Sequence, residues 1–174
     1  PATLLFNKPS GMDMAQALAA ITAQSRSETD DSGQRVLQRH FHRQQAVLPM
    51  DASYAGLVVF SQDWRIHRHV EQSHASLEQE YVVNVTGELA PYGMSKLSRG
   101  MVYQGRSLPP CKVSWQSENR LRFAIKDVRV GQLRWMCAQV GLTVNAIRRL
   151  RVGRISLSKM PEGQWRYLPA GERI

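Results

Sequence analysis

Two cysteines in 174 residues, Cys111 and Cys137, are too few for a disulfide scaffold or a cysteine-built zinc site. Both are better read as buried structural thiols than as nucleophiles. Long apolar runs are missing as well. The longest are only a few residues, as in Gly56-Leu57-Val58-Val59-Phe60, far short of the roughly 20 that a membrane-crossing helix needs. The opening Pro-Ala-Thr-Leu-Leu-Phe-Asn-Lys has no basic stretch before an apolar one, so no signal peptide is expected. No phosphate-cradling or dinucleotide-binding glycine pattern occurs, and no G-x-S-x-G elbow. Phosphoryl transfer, redox and serine-hydrolase chemistry therefore lose their usual sequence support. A reduced, cytoplasmic protein with one sizeable core is the expectation, since 43% apolar and 21% charged residues are globular values.

Acidic residues are scarce in one place above all. Of the formal net charge of +9, the stretch 120–154 carries +8, from nine cations against the single acid Asp127. Eight of those cations are arginines (120, 122, 129, 134, 148, 149, 151 and 154), and the ninth is Lys126. Guanidinium forks suit phosphate oxygens and stack on bases, so a polyanion is expected as partner, with nucleic acid first. A solvated basic face is the plainer alternative. A membrane surface ranks lower, because the cations alternate with Val, Leu and Ile in strand fashion.

The patterning predicts a mixed chain with more strands than helices. Ala2–Phe6 reads as a strand ending in a turn at Asn7-Lys8-Pro9-Ser10-Gly11. Helices are expected over 13–22, over 63–72 with Asp63 as cap, within 87–99, and over 131–140. Strands are expected at 80–86, 111–116, 120–126, 143–147, 154–157 and 164–168. Residues 23–45 are mostly polar and read as a mobile loop. The pairs His40/His42 and His67/His69 lack a third ligand at suitable spacing, so no metal site is expected.

Asp51 stands apart, an acid between the apolar pieces 46–50 and 56–60. A carboxylate there must be hydrogen-bonded, paired with a cation, or reactive. An Asx-turn onto Ser53 or Tyr54 would account for it, and composition alone favours that reading. The surrounding motif does more. Asp51-x-x-x-x-Gly56-Leu57-Val58-Val59-Phe60-Ser61-x-Asp63 resembles the central motif of RNA pseudouridine synthases, and four other segments agree in order. These are Leu4-Leu5-Phe6-Asn7-Lys8-Pro9, then Glu78-Gln79-Glu80-Tyr81-Val82-Val83-x-Val85-x-Gly87, then Gln132-Leu133-Arg134-x-Met136. The last is Arg148-Arg149-x-Arg151-Val152-Gly153-x-Ile155-Ser156-Leu157, followed by Met160-Pro161-x-Gly163-x-Trp165. The final segment resembles the ribosomal small-subunit pseudouridine synthase A family, with its large-subunit relatives. The chain departs from the pattern where Leu48-Pro49-Met50-Asp51 replaces the family's G-R-L-D, where Gln79 replaces a lysine, and where 52–55 reads Ala-Ser-Tyr-Ala. Val128-Arg129-Val130-Gly131 likewise replaces the family's G-R-N-R.

The resemblance implies an α+β pseudouridine synthase fold, a mostly antiparallel bent sheet around a central cleft. Residues 1–174 would form one catalytic domain, without the S4-like RNA-binding domain that many relatives carry ahead of it. It implies isomerisation of a specific uridine in RNA, most naturally ribosomal RNA, by a monomer needing no cofactor or metal. Asp51 would act at the ribose as nucleophile or base, paired with Arg134 within ion-pair reach in a dry pocket. Tyr81 would stack on the target base and Ile147 would pack on its other face. Arg129, Arg148, Arg149 and Arg151 would contact the RNA. A tRNA substrate, or a non-catalytic RNA-binding or ribosome-assembly protein on the same scaffold, are the alternatives.

Overall fold

Strands form where the apolar residues run or alternate. A computed structural model describes residues Pro1–Ile174. Its elements are β1 (Thr3–Lys8), α1 (Met14–Ala20), β2 (Gln45–Val47), β3 (Ala55–Ser61), α2 (Trp64–Ser73), β4 (Glu78–Gly87) and α3 (Gly93–Ser98). There follow β5 (Val102–Tyr103), β6 (Arg106–Ser107), β7 (Lys112–Ser117), β8 (Arg120–Lys126), α4 (Gln132–Gln139), β9 (Leu142–Val152), β10 (Ile155–Ser156) and β11 (Trp165–Tyr167). One nine-stranded sheet carries the order β11-β1-β3-β9-β4-β8-β7, with β10 on β9 and β2 on β3. All its pairings are antiparallel except β3 with β9. The architecture is α+β with few helices, in agreement with the expected fold class.

Burial tells the two halves of the sheet apart. Every residue of β3 is buried, as a strand covered on both faces must be. Leu57 and Val59 join one apolar cluster with Val70 of α2, while Val58 and Phe60 join another with Ala17 of α1. β8 instead alternates, with Leu121, Phe123 and Ile125 in the core while Arg120, Arg122 and Lys126 are exposed. The core side of this second half is covered by α3 and α4, which contribute Leu97, Leu133, Met136 and Cys137. Its opposite side stays open and basic.

The halves meet along a short parallel seam, Ala55↔Arg148 and Gly56↔Arg149. Gly56 has φ +105, and a Cβ there would lie 2.2 Å from the Arg149 carbonyl oxygen. Neither the conformation nor the space admits a side chain. Gly56→Ala is therefore expected to destabilise the protein by about 2–3 kcal/mol, read from urea unfolding. A loss below ~0.5 kcal/mol would show that the seam yields easily.

Asp63 caps its helix as expected, and Asp13 caps α1 as well. Asp13 accepts from the Gln16 N–H in a reciprocal capping box, and Asp63 accepts from the Arg65 N–H. Two expectations change. The 23–45 segment is not a free loop: the Asp30 carboxylate accepts from the Tyr167 N–H at 2.9 Å and from Arg26 at 3.1 Å, and Trp165 Nε1 donates to the Thr22 carbonyl. Partial burial opposes the charge on Asp30, yet these donors hold its carboxyl down to about 2. β9 runs on to Val152, beyond the expected 147. The arginine-rich 148–151 is thus strand, with Arg148 and Arg151 bound to side chains and Arg149 to backbone carbonyls that composition does not disclose.

Candidate active site

Asp51 lies in the turn between β2 and β3. Its Oδ1 accepts from the Ser53 N–H at 2.9 Å and the Ser53 hydroxyl at 2.6 Å, and the Tyr54 N–H donates to the Asp51 carbonyl. The Asx-turn is therefore present. The carboxylate is exposed rather than enclosed in an apolar pocket, because the turn points out of the sheet. Hydrogen bonds from Ser53, then the fields of Arg134 and Lys8, hold its pKa below the ordinary value. Asp51 forms no direct ion pair; Arg134 Nη1 donates instead to the Val144 carbonyl at 3.0 Å. The expected Asp51–Arg134 contact is thus reduced to a long-range coupling, with helix α4 holding the cation on the same side of the molecule.

Two buried cations build this turn. Lys8, fully buried, donates to the carbonyls of Pro9 at 2.9 Å and Ala52 at 3.0 Å. Burial lowers its pKa, and the charge of Asp51 opposes that fall. Arg149, 1% exposed, sends Nε to the Leu57 carbonyl and Nη1 to the Leu48 carbonyl, both at 2.9 Å. One guanidinium therefore ties both ends of the segment that carries Asp51. Leu48 holds the left-handed φ of 51° where the resembling family has glycine, so its carbonyl is turned toward that guanidinium at some conformational cost.

Tyr81 of β4 points into the core, 3% exposed, and its hydroxyl donates to Gln79 Oε1 at 2.7 Å. Burial raises the Tyr81 pKa, and the neighbouring Arg149 guanidinium pulls the other way. Ile147 of β9 pairs opposite Val83 and joins the same cluster, as does Tyr54, whose ring meets Tyr81 edge-on with centroids 6.4 Å apart. Burial pushes the Tyr54 hydroxyl up to about 12, helped by Tyr81 and Asp51 and opposed by the positive charge of Arg134. Tyr54 is therefore the side chain that connects the tyrosine in the core to the acid on the turn.

The remaining expected RNA contacts fare differently. Arg149 is withdrawn from that role by its burial. Arg151 bonds Glu78 and Glu80, Arg148 bonds Glu162 and Asn7, and Arg129 pairs with Asp127. Arg148 and Arg129 keep exposed side chains beside those partners, 38% and 54%. Arg120, Lys126, Arg134 and Arg154 are exposed, and no acid pairs with any of them. A cavity of about 350 Å³ begins beside the Asp51 turn at Ser10 and Ser53 and extends past Ala146 and Arg148 to Gln116 and Arg120.

No protein-family model matches the chain. Among curated proteins, the dual-specificity RNA pseudouridine synthase RluF of Escherichia coli K12 is 26% identical over 125 residues, 72% of this chain and 43% of RluF. The ribosomal large subunit pseudouridine synthase B of Yersinia pestis is 27% identical over 71% of this chain and 40% of its own length. The ribosomal small subunit pseudouridine synthase A of Pasteurella multocida is 24% identical over 71% and 54%. A crystal structure of a pseudouridylate synthase superposes with a TM-score of 0.75, at 17% identity, over 96% of this chain and 70% of that one. The chain is similar to these RNA pseudouridine synthases over about 70% of its length and shares the fold. Its matched part spans less than half the length of RluF and of the Yersinia protein.

Three residues that shape the surroundings of Asp51, namely Lys8, Tyr54 and Arg149, are not disclosed by the sequence pattern. Lys8 lies between an apolar strand and a proline turn, and such a lysine must find acceptors once the strand is buried. Tyr54 was passed over as part of a turn. Arg149 was counted with the surface cations because a strand's burial depends on partners far away in sequence. Cys111 and Cys137 are raised by burial to about 11 and about 12, which removes both as thiolate nucleophiles. No helix is long and apolar enough to cross a membrane.

Proposed function

We propose that the protein is an RNA pseudouridine synthase acting as one cytoplasmic, monomeric catalytic domain on a uridine of ribosomal RNA. The reaction breaks the bond from ribose C1′ to uracil N1 and forms one from C1′ to C5. The C5 hydrogen leaves to solvent and N1 takes up a proton. Asp51 acts at the ribose, ionised at neutral pH; Arg134 supplies the nearby positive charge; Tyr81 and Ile147 face the base. The observation that carries this reading is the convergence of Asp51 on the β2–β3 turn, Arg134 of α4 and Tyr81 of β4 around the ring of Tyr54. The relatives' ribosomal names support the choice of RNA.

The assay is tritium release from unmodified ribosomal RNA transcripts carrying C5-tritiated uridine, with mapping of the converted position. A covered Tyr81 and an unpaired Asp51 favour the second reading, an RNA-binding protein without turnover. RNA binding with no tritium release at any site would establish it.

RNA entry along the groove from Ser53 to Arg120 predicts a moderate salt dependence. Four unpaired cations in 120–154 give a log–log slope of about −3, at ~0.7–0.9 per phosphate contact. Arg120→Gln and Arg154→Gln should each flatten it by about 0.7–0.9. A slope near zero would leave the open basic face without a role in binding.

A further inference from the structure

Tyr81 and Ile147, the two residues assigned to the faces of the target base, are 3% and 1% exposed. No base fits between side chains so enclosed. The ring between them and the Asp51 turn is Tyr54, 9% exposed and set edge-on against Tyr81. It feels the charges of both Asp51 and Arg134, so it stands where the space between acid, cation and stacking tyrosine would open. Its backbone N–H is fixed to the Asp51 carbonyl at 3.0 Å, but its side chain is held by packing, with no protein partner on the hydroxyl. Such a ring swings out by a rotamer change that leaves the Asp51 turn intact.

We infer that Tyr54 occupies the uracil site in the free protein and is displaced by the flipped-out uridine, making it a residue that sets substrate affinity and selection. The inference rests on the isomerase reading. A base entering this site must exceed the contacts that Tyr54 gives up, so weakly extruded nucleotides are excluded and only one presented by well-docked RNA gains entry. Apparent affinity is reduced by the fraction of molecules in which the ring is displaced. Tyr54 is a specificity-determining residue and takes no proton.

The test compares wild type, Tyr54→Ser and Tyr54→Phe on the same tritiated ribosomal transcripts. If the open form is about a tenth of the population, Tyr54→Ser lowers KM ~10-fold with kcat nearly unchanged, and Tyr54→Phe matches wild type. An unchanged KM, or a fall in kcat/KM, for folded Tyr54→Ser overturns the inference. A second readout needs no turnover: tetranitromethane nitration of the free protein, mapped by peptide mass. Tyr81 should react several-fold faster in Tyr54→Ser than in wild type. Equal protection of Tyr81 in both overturns the inference. Absence of tritium release from all three proteins, with Tyr81 unmasked in Tyr54→Ser, would instead count against the isomerase reading alone.

Discussion

Asp51→Asn should stop tritium release while leaving RNA affinity and stability close to wild type. The asparagine Oδ1 can still accept from the Ser53 N–H and hydroxyl, so the Asx-turn survives the exchange. What disappears is the negative charge at the ribose and any capacity to act there as nucleophile or base. A loss of about 10³-fold or more in kcat is expected for a group of that kind. Because the carboxyl pKa is depressed, the acid is fully ionised at neutral pH. Its contribution to folding is present above the ordinary carboxylate pKa and is lost as pH falls through the lower folded value. Activity should accordingly be insensitive to Asp51 titration from pH 8 down to about 5. Turnover within ~10-fold of wild type in the Asn protein would remove Asp51 from the chemistry.

Arg149→Met should produce the largest loss of stability of any single arginine change. The buried carbonyl of Leu57 and the part-buried carbonyl of Leu48 lose their guanidinium donor. The guanidinium is itself almost fully buried, so its removal also leaves a cavity against β3. About 3–5 kcal/mol is expected from these costs together, a fall in Tm of roughly 10 °C or more for a chain of this size. Arg149→Lys keeps the charge but cannot serve two carbonyls in fork geometry, and should recover only part of the loss. Thermal and urea unfolding measure both. A change under ~1 kcal/mol for the methionine variant would mean that the 48–57 segment holds its shape without the clamp.

The contrast between those two residues shows what could be read from the linear chain. Asp51 was legible because an acid in an apolar passage violates its surroundings, and because its motif neighbours follow in order. The helix cap at Asp63 and the strands β7 and β8 were legible for a similar reason: each is decided by residues a few positions apart. Arg149 was not, since its carbonyl partners sit about a hundred positions earlier and the residues beside it in sequence do carry exposed charge. The same holds for the 23–45 segment, whose polar composition suggested freedom. Asp30 and Thr22 are in fact committed to Tyr167 and Trp165, from the far end of the chain. Tyr54 shows a third kind of gap, because its position in the pattern was visible but only the fold shows that its ring packs edge-on against Tyr81.

The parallel seam between β3 and β9 also bears on how the molecule comes together. Among the strand pairings, β5–β6, β7–β8 and β9–β10 are tight hairpins and β2–β3 is closed by the short turn at 48–54; the others join segments separated by long stretches of chain. Contacts of that kind repay their loop-closure entropy late, so the sheet is slow to assemble. The seam requires residues 55–56 to find 148–149, by which point each half has its own partners to recruit. Docking of the halves, and insertion of Arg149 between Leu48 and Leu57, therefore belongs to the end of folding. The acid, the stacking tyrosine and the cation come from opposite sides of that junction. A molecule that has built both halves without joining them carries Asp51, Tyr81 and Arg134 but holds them apart.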